Sequence, residues 1–280
     1  MRRAFIPDET TYDQQRAEPS CAFYQRKNRD SVLLMRTKTV KAGEWLECDI
    51  YPVLDRDYSR TAKRRKTAES IRAQNLRRAR KRLEWLLNAN FDRRDMLAHF
   101  TCAFACTEEE FRRITHNFMD RLRRAYRARG KELKYIYVIE TTGKEEKMRH
   151  HIHMALNGGA LSRDDVEKIW RHGLARVDRV QDMDTGLRGF ALYITQHKDA
   201  QDKLMSRKWA CSKGLKQPTI TESSSRFSRA AAGRIEKAVR EDAEQEFKKR
   251  YPGYKLIEYQ VKYSDFLPGV YITAFMRKIQ

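Results

Sequence analysis

The chain has 280 residues, 40% hydrophobic and 35% charged, with 59 Lys and Arg against 38 Asp and Glu for a formal charge of +21. That length and apolar content suffice for a real core and exclude disorder throughout. The charge calls for a polyanion or an anionic membrane to neutralise it. No run of about 18 apolar residues occurs, and the start, Met1-Arg-Arg-Ala-Phe, lacks the apolar segment of a signal peptide. The expectation is therefore a cytoplasmic nucleic-acid binder with no membrane contact. Cys21, Cys48, Cys102, Cys106 and Cys211 are odd in number and never spaced CxxC, which excludes a disulfide framework or a zinc knuckle and reads as reduced thiols.

The first thirty residues, with Pro7 and Pro19, read as a loosely packed lead-in. Val32-Leu-Leu-Met35 and Trp45–Tyr51 flank Lys41-Ala-Gly43, the pattern of a β-hairpin. Between residues 60 and 94, thirteen Lys and Arg face only Glu69, Glu84 and Asp92. Ile71, Leu76, Ala79, Leu83, Leu86 and Leu87 recur near a 3.6 period, so one stripe packs while arginines face outward. So large an excess of one sign exceeds what i,i+4 pairing absorbs, and Arg77, Arg78, Arg80 and Lys81 are expected to contact phosphates.

A compact alternation follows. Leu97–Cys106 reads as a strand, and Thr107-Glu-Glu-Glu caps a helix running to about Arg127. Leu133–Glu140 and Arg149–Leu156 are strands, and Ser162 caps a helix through Trp170. Ala175–Val180 is a fourth strand, and a helix is predicted over Leu187–Lys198. This is an α+β domain with a largely antiparallel central sheet flanked by helices. Lys208–Pro218 is a basic connector, Phe227–Arg250 a long charged helix, and Tyr254–Tyr263 with Val270–Met276 a closing hairpin. The expected division is a basic N-terminal hairpin–helix extension (1–96), a catalytic domain (97–218) and a C-terminal helix–hairpin packing on the core (219–280). No GxxxxGK[ST] occurs, so there is no case for an ATP-driven motor in this sequence.

The sharpest local feature is His150-His-Ile-His-Met154. Strand alternation turns His151 and His153 to one face and Ile152 and Met154 to the other. A hairpin joining this strand to the one ending at Glu140 brings that carboxylate to the histidines. Two imidazoles and a carboxylate suit a catalytic divalent ion that must also touch a phosphate. On the helix Ala191–Lys198, Tyr193, Gln196 and His197 share a face, with Lys198 close to the same side. Tyrosine attacks phosphorus directly when a nearby cation favours the phenolate. His99 and His116 read as packing or surface residues, and Trp85, Trp170 and Trp209 as anchors, with Trp209 beside Lys208 and Lys213 also placed to stack on a base.

On these residues the chain resembles the HUH endonucleases, specifically the rolling-circle replication initiators of small single-stranded DNA phages and plasmids. The resemblance spans roughly Asn90 to Pro218. It rests on the strand Leu97–Cys106, Glu140, His151-Ile-His153, the Tyr193 helix and Trp209-Ala-Cys-Ser-Lys-Gly-Leu-Lys-Gln-Pro218. It implies an HUH/RRM-like core in which His151, His153 and Glu140 hold Mg²⁺ or Mn²⁺. Tyr193 would nick single-stranded origin DNA, keep the 5′-phosphate, free a 3′-hydroxyl and later rejoin the strand. In a bacterial cytoplasm, host helicase and polymerase would be partners. Relatives often carry a second tyrosine where His197 stands, so a single-tyrosine enzyme is implied, with His197 or Lys198 assisting. Alternatives are a relaxase or transposase of the same chemistry, or a non-catalytic nucleic-acid-binding protein.

Overall fold

A computed structural model of the chain describes residues 34–53, 67–142, 149–195, 209–263 and 269–279. Strands β1 (Leu34–Ala42) and β2 (Trp45–Val53) form the N-terminal hairpin. Alternation sends Leu46, Cys48 and Ile50 of β2 into a buried cluster and turns Trp45, Glu47 and Asp49 to the opposite face. Helix α1 (Ala68–Asn90) carries the basic run, capped by the Thr67 hydroxyl.

The second segment runs β3 (Met96–Cys102), α2 (Glu108–Ala128), β4 (Tyr135–Thr142), β5 (Arg149–Leu156), α3 (Arg163–Trp170), β6 (Gly173–Arg179), α4 (Arg188–Tyr193) and β7 (Ala210–Cys211). Its five strands form an antiparallel sheet in the order β6-β3-β5-β4-β7. Both predicted starts are capping boxes, Thr107 with Glu110 on α2 and Ser162 with Asp165 on α3, each pairing orphan amide donors with side chains. Phe100, Ile152 and Met154 pack one face of this sheet against Phe111, Phe118 and Trp170 of α2 and α3. On the other face Val138 and Ala155 meet Leu83 and Leu87 of α1 and Ala191 and Ile194 of α4.

The chain closes with β8 (Thr219–Ser223), α5 (Arg229–Lys237), α6 (Arg240–Arg250), β9 (Tyr254–Tyr263) and β10 (Val270–Lys278). Strand β10 pairs with β2, and β8 with β1, so segments from both ends of the chain make one five-stranded sheet, β8-β1-β2-β10-β9. Among the described residues the architecture is thus α+β with two antiparallel sheets flanked by helices. The Glu44 carbonyl and the Lys278 amide hydrogen-bond across this union of the ends.

Three elements differ from the sequence reading. The strand expected to reach Cys106 stops at Cys102, where the chain turns and the Ala103 amide bonds the His172 carbonyl before the Thr107 cap. The long helix expected over 227–250 is two helices separated by extended backbone at Ala238 and Val239. A continuous helix places residues twelve apart about 120° around its axis. The break instead turns Ala231 and Ile235 of α5, and Ala243 and Phe247 of α6, onto the same core. Inside the basic connector, β7 adds an edge strand beside β4. No helix among the described residues is long and apolar enough to cross a membrane, and Cys48, Cys102, Cys106 and Cys211 are free thiols.

Candidate active site

Strand register assembles the site. On β5, His153 lies opposite His99 of β3 and Val138 of β4, and His151 lies opposite Thr101 and Glu140. All of the polar members point to the face that α1 and α4 cover. His150 points the other way, into the α2 side, where its ring nitrogens sit 3.0 Å from the Thr141 hydroxyl and 3.0 Å from the Cys106 carbonyl. His150 is therefore a satisfied core histidine, while His151 and His153 share the opposite face as alternation predicts.

Glu140 approaches diagonally rather than straight across. His153 Nε2 donates to Glu140 Oε2 at 2.8 Å, with the imidazole almost fully buried and the carboxylate 13% exposed. His151 Nδ1 lies 3.0 Å from the Thr101 hydroxyl and 3.3 Å from His99 Nε2. The His99 ring stacks on His153 at 4.4 Å between centroids and stands 5.3 Å from His151. His99, read from the sequence as a packing or surface residue, is thus the third imidazole of the cluster. The alternation of β3 (burial on Ala98, Phe100 and Cys102) marked its face; what it faces depends on the pairing of β3 with β5, 52 residues on.

Tyr193 reaches the cluster from the end of α4. Its ring meets His153 edge-on at 5.2 Å, and the side chain is otherwise 42% exposed. Phenol, imidazole and carboxylate thus lie in sequence at the edge of the solvent. Gln196, His197 and Lys198, the expected helpers on that helix, lie outside the described residues, as does Lys208.

Burial dominates the electrostatics. It holds His99 down at about 4, with the neighbouring imidazoles of His153 and His151 adding to the effect. His151 is lowered for the same reasons, burial first and His153 second. Both rings are neutral lone-pair donors at neutral pH, the form a metal ion takes. Burial also raises the Tyr193 phenol, and the Glu140 charge raises it further. As the site stands, Glu140 opposes formation of a phenolate. Arg176, opposite His99 on β6, brings a cation beside the cluster, ion-paired at 2.8 Å with Asp178.

The donor set of imidazoles and a carboxylate suits a small divalent ion in its chemistry. Its present geometry is internally hydrogen-bonded, and among the described residues no three His, Cys, Asp or Glu side chains stand arranged around a metal position.

The predicted phosphate contacts occupy different places. Arg77, Arg78 and Lys81 line a cleft of about 720 Å³ between α1 and the sheet made by the chain ends, together with Lys38, Arg82 and Lys262. Lys81 is ion-paired there to buried Glu47 at 2.9 Å. Arg80 turns instead toward α4, where Nε donates to the Thr195 hydroxyl at 2.8 Å. Trp209 packs against the cluster that holds Leu83 and Ala191. Lys213 lines a second basic hollow with Arg123, Arg127 and Lys131 at the β7 edge.

Residues 96–198 match the family model for replication-associated proteins of the ORF2 type. That span begins at β3 and contains His99, Glu140, His151, His153 and Tyr193. The match is consistent with a replication initiator acting on DNA. No curated protein and no solved structure matches the chain.

Proposed function

We propose that the protein is a replication initiator of the HUH type, a nickase and ligase of single-stranded origin DNA with one tyrosine nucleophile. The observation that carries this reading is Tyr193 against His153, itself hydrogen-bonded to Glu140, inside the segment that matches replication-associated proteins. A phenol at the solvent edge of an imidazole–carboxylate cluster is suited to phosphoryl transfer, where positioning and charge stabilisation do most of the catalytic work.

His151, His153 and Glu140 would hold Mg²⁺ or Mn²⁺ once the Glu140–His153 hydrogen bond opens, with His99 behind them orienting the rings. Such an ion, when bound, supplies Lewis-acid charge to the scissile phosphate. Engaging Glu140 also relieves the charge that now raises the Tyr193 phenol. Tyr193 Oη then bonds to phosphorus as the bond to the 3′ oxygen breaks. The phenolic proton passes to water, and the leaving oxygen takes one up. The products are a 5′-phosphotyrosine and a free 3′-hydroxyl for host polymerase and helicase, and the reverse attack rejoins the strand. His197 or Lys198 would assist the phenol.

Residues 97–218 form the nuclease unit in this reading, flanked by the DNA-holding segments 1–96 and 219–280. Arg77, Arg78, Lys81 and Lys213 would hold the backbone, with Lys208 and Trp209 near the exit of the tyrosine helix, and the setting would be the cytoplasm.

The test is incubation with Mn²⁺ and a labelled single-stranded origin oligonucleotide, followed by a denaturing gel. Wild type is expected to form a covalent adduct that Tyr193→Phe abolishes and His151→Ala reduces without loss of DNA binding. An adduct that persists in Tyr193→Phe removes the tyrosine from its role, and absence of cleavage across the replicon's intergenic sequence removes the enzyme reading.

A further inference from the structure

Helix α4 is too short to place a nucleophile by itself. It spans six residues, and its own N-cap position, Leu187, contributes no side-chain hydrogen bond. Isolated helices of this length do not persist in water, because nucleation costs more than so few bonds return. Its position must come from what it touches, and it touches α1.

The two ends of α4 are each held by one polar side chain of α1. At the start, the Leu187 amide donates to Asn88 Oδ1 at 2.8 Å, a buried bond between residues 99 positions apart. At the end, Arg80 Nε donates to the Thr195 hydroxyl at 2.8 Å, and its Nη2 to the Thr195 carbonyl at 3.3 Å. The Thr195 hydroxyl in turn donates to the Ala191 carbonyl at 2.6 Å, closing the last turn. Arg80 and Asn88 are eight positions apart, about 12 Å along a helix, and so are Leu187 and Thr195. The helices therefore lie antiparallel with matched anchor points, and Leu83, Leu87, Ala191 and Ile194 pack between them. Gly186, at φ +59°, is where the chain comes closest to this anchor. A Cβ there would stand 2.6 Å from Asn88 Oδ1 and 2.7 Å from the Trp45 ring.

We propose that α1 is the splint that positions Tyr193, with Asn88 fixing the start of its helix and Arg80 the end, so that Arg80 is a positioning residue rather than a phosphate contact. The inference rests on Tyr193 as nucleophile for its catalytic consequence, but the splint itself is a statement about α4. Arg78, which lines the basic cleft instead, is the internal control: two residues away on the same helix, it has the same charge and a different task.

The experiment compares Arg80→Gln, Arg80→Lys and Arg78→Gln with wild type. For each, oligonucleotide affinity is measured by anisotropy, and the first-order rate of adduct formation at saturating oligonucleotide and Mn²⁺. Misplacing a nucleophile by a fraction of an ångström costs about tenfold or more in rate. Arg80→Gln should show that loss with affinity within about twofold of wild type, and Arg80→Lys, which restores one donor to Thr195, should recover part of it. Arg78→Gln should weaken affinity and leave the saturated rate unchanged. Combining Arg80→Gln with Thr195→Val should cost no more than the larger single effect, since both remove the same bond.

A readout free of catalysis separates the splint from the enzyme reading. Hydrogen–deuterium exchange of the peptide covering 187–195 should quicken in Arg80→Gln while β5 keeps its protection. If that exchange is unchanged, or if Arg80→Gln lowers affinity and spares the saturated rate, the splint is wrong and Arg80 is a phosphate ligand. If exchange quickens but wild type forms no adduct, the splint stands and the nuclease assignment fails.

Discussion

At the scale of single residues, His99 changes most in meaning. Buried beside two other imidazoles, it is held at about 4 against an ordinary histidine value of 6.5. The unfolded chain therefore binds the proton more readily, and stability falls as pH falls. The contribution is fully present above about 6.5 and is lost as pH drops toward about 4. Urea midpoints measured between pH 7 and 4.5 are expected to decline, and His99→Gln should flatten that decline; an unchanged slope in the variant would place the titration elsewhere. His99→Gln should also lower the Mn²⁺-dependent cleavage rate by about 10- to 100-fold, the usual cost of losing a group that orients metal-binding rings.

At the scale of elements, the break between α5 and α6 creates a polar joint that a single helix would lack. Glu246 of α6 is buried and receives Arg234 of α5 through both oxygens, at 3.1 and 3.2 Å. Arg250 and Lys249 reach the same carboxylate at 2.8 and 3.4 Å. These cations hold Glu246 at about 2, hydrogen bonding from Arg234 being the largest cause. A depressed carboxylate contributes stability above its unfolded value and loses it as pH falls through the folded one. Glu246→Gln is expected to destabilise the fold by about 1.5–3 kcal/mol at pH 7, the range for hydrogen bonds to charged groups. The gap between variant and wild type should close between pH 4.5 and 2, a window separate from that of His99. Equal stabilities at pH 7 would show that the joint contributes nothing net.

At the scale of the whole molecule, a formal charge of +21 is distributed over surfaces that do different work. The cleft cations Arg77, Arg78 and Arg82 stand along one side of α1, while Arg80 on the same helix serves α4. Affinity for a single-stranded oligonucleotide should fall linearly on a log–log plot against salt, by about 0.7 per phosphate neutralised. Arg78→Gln should reduce that slope by about one contact, and Arg80→Gln should leave it unchanged. A slope that Arg78→Gln leaves untouched would remove the cleft from the binding surface. The sheet built from the chain ends also steadies the approach to α4. Trp45 Nε1 donates to the Asp184 carbonyl at 3.3 Å, Arg277 pairs with Asp182, and Arg188 pairs with Glu258. The nucleophile's helix is therefore gripped by elements that lie outside the segment matching replication-associated proteins.

Local physics made much of this legible in advance. Capping boxes fixed the starts of α2 and α3, because Thr107 with Glu110 and Ser162 with Asp165 satisfy amide donors within four residues. Period-2 alternation determined that His151 and His153 share a face, and composition determined that the surface is polyanion-seeking. What the sequence left open depended on contacts between distant segments. His99 joined the cluster through β3–β5 pairing, Arg80 left the phosphate surface through a bond to Thr195, and the chain ends met through β2 and β10. Periodicity says which way a side chain points from its own backbone, whereas its partner is set by packing that minimises exposed apolar surface over the whole chain. That is why the sequence by itself determined the elements and the faces, and only the tertiary structure decided which residues stand together around Tyr193.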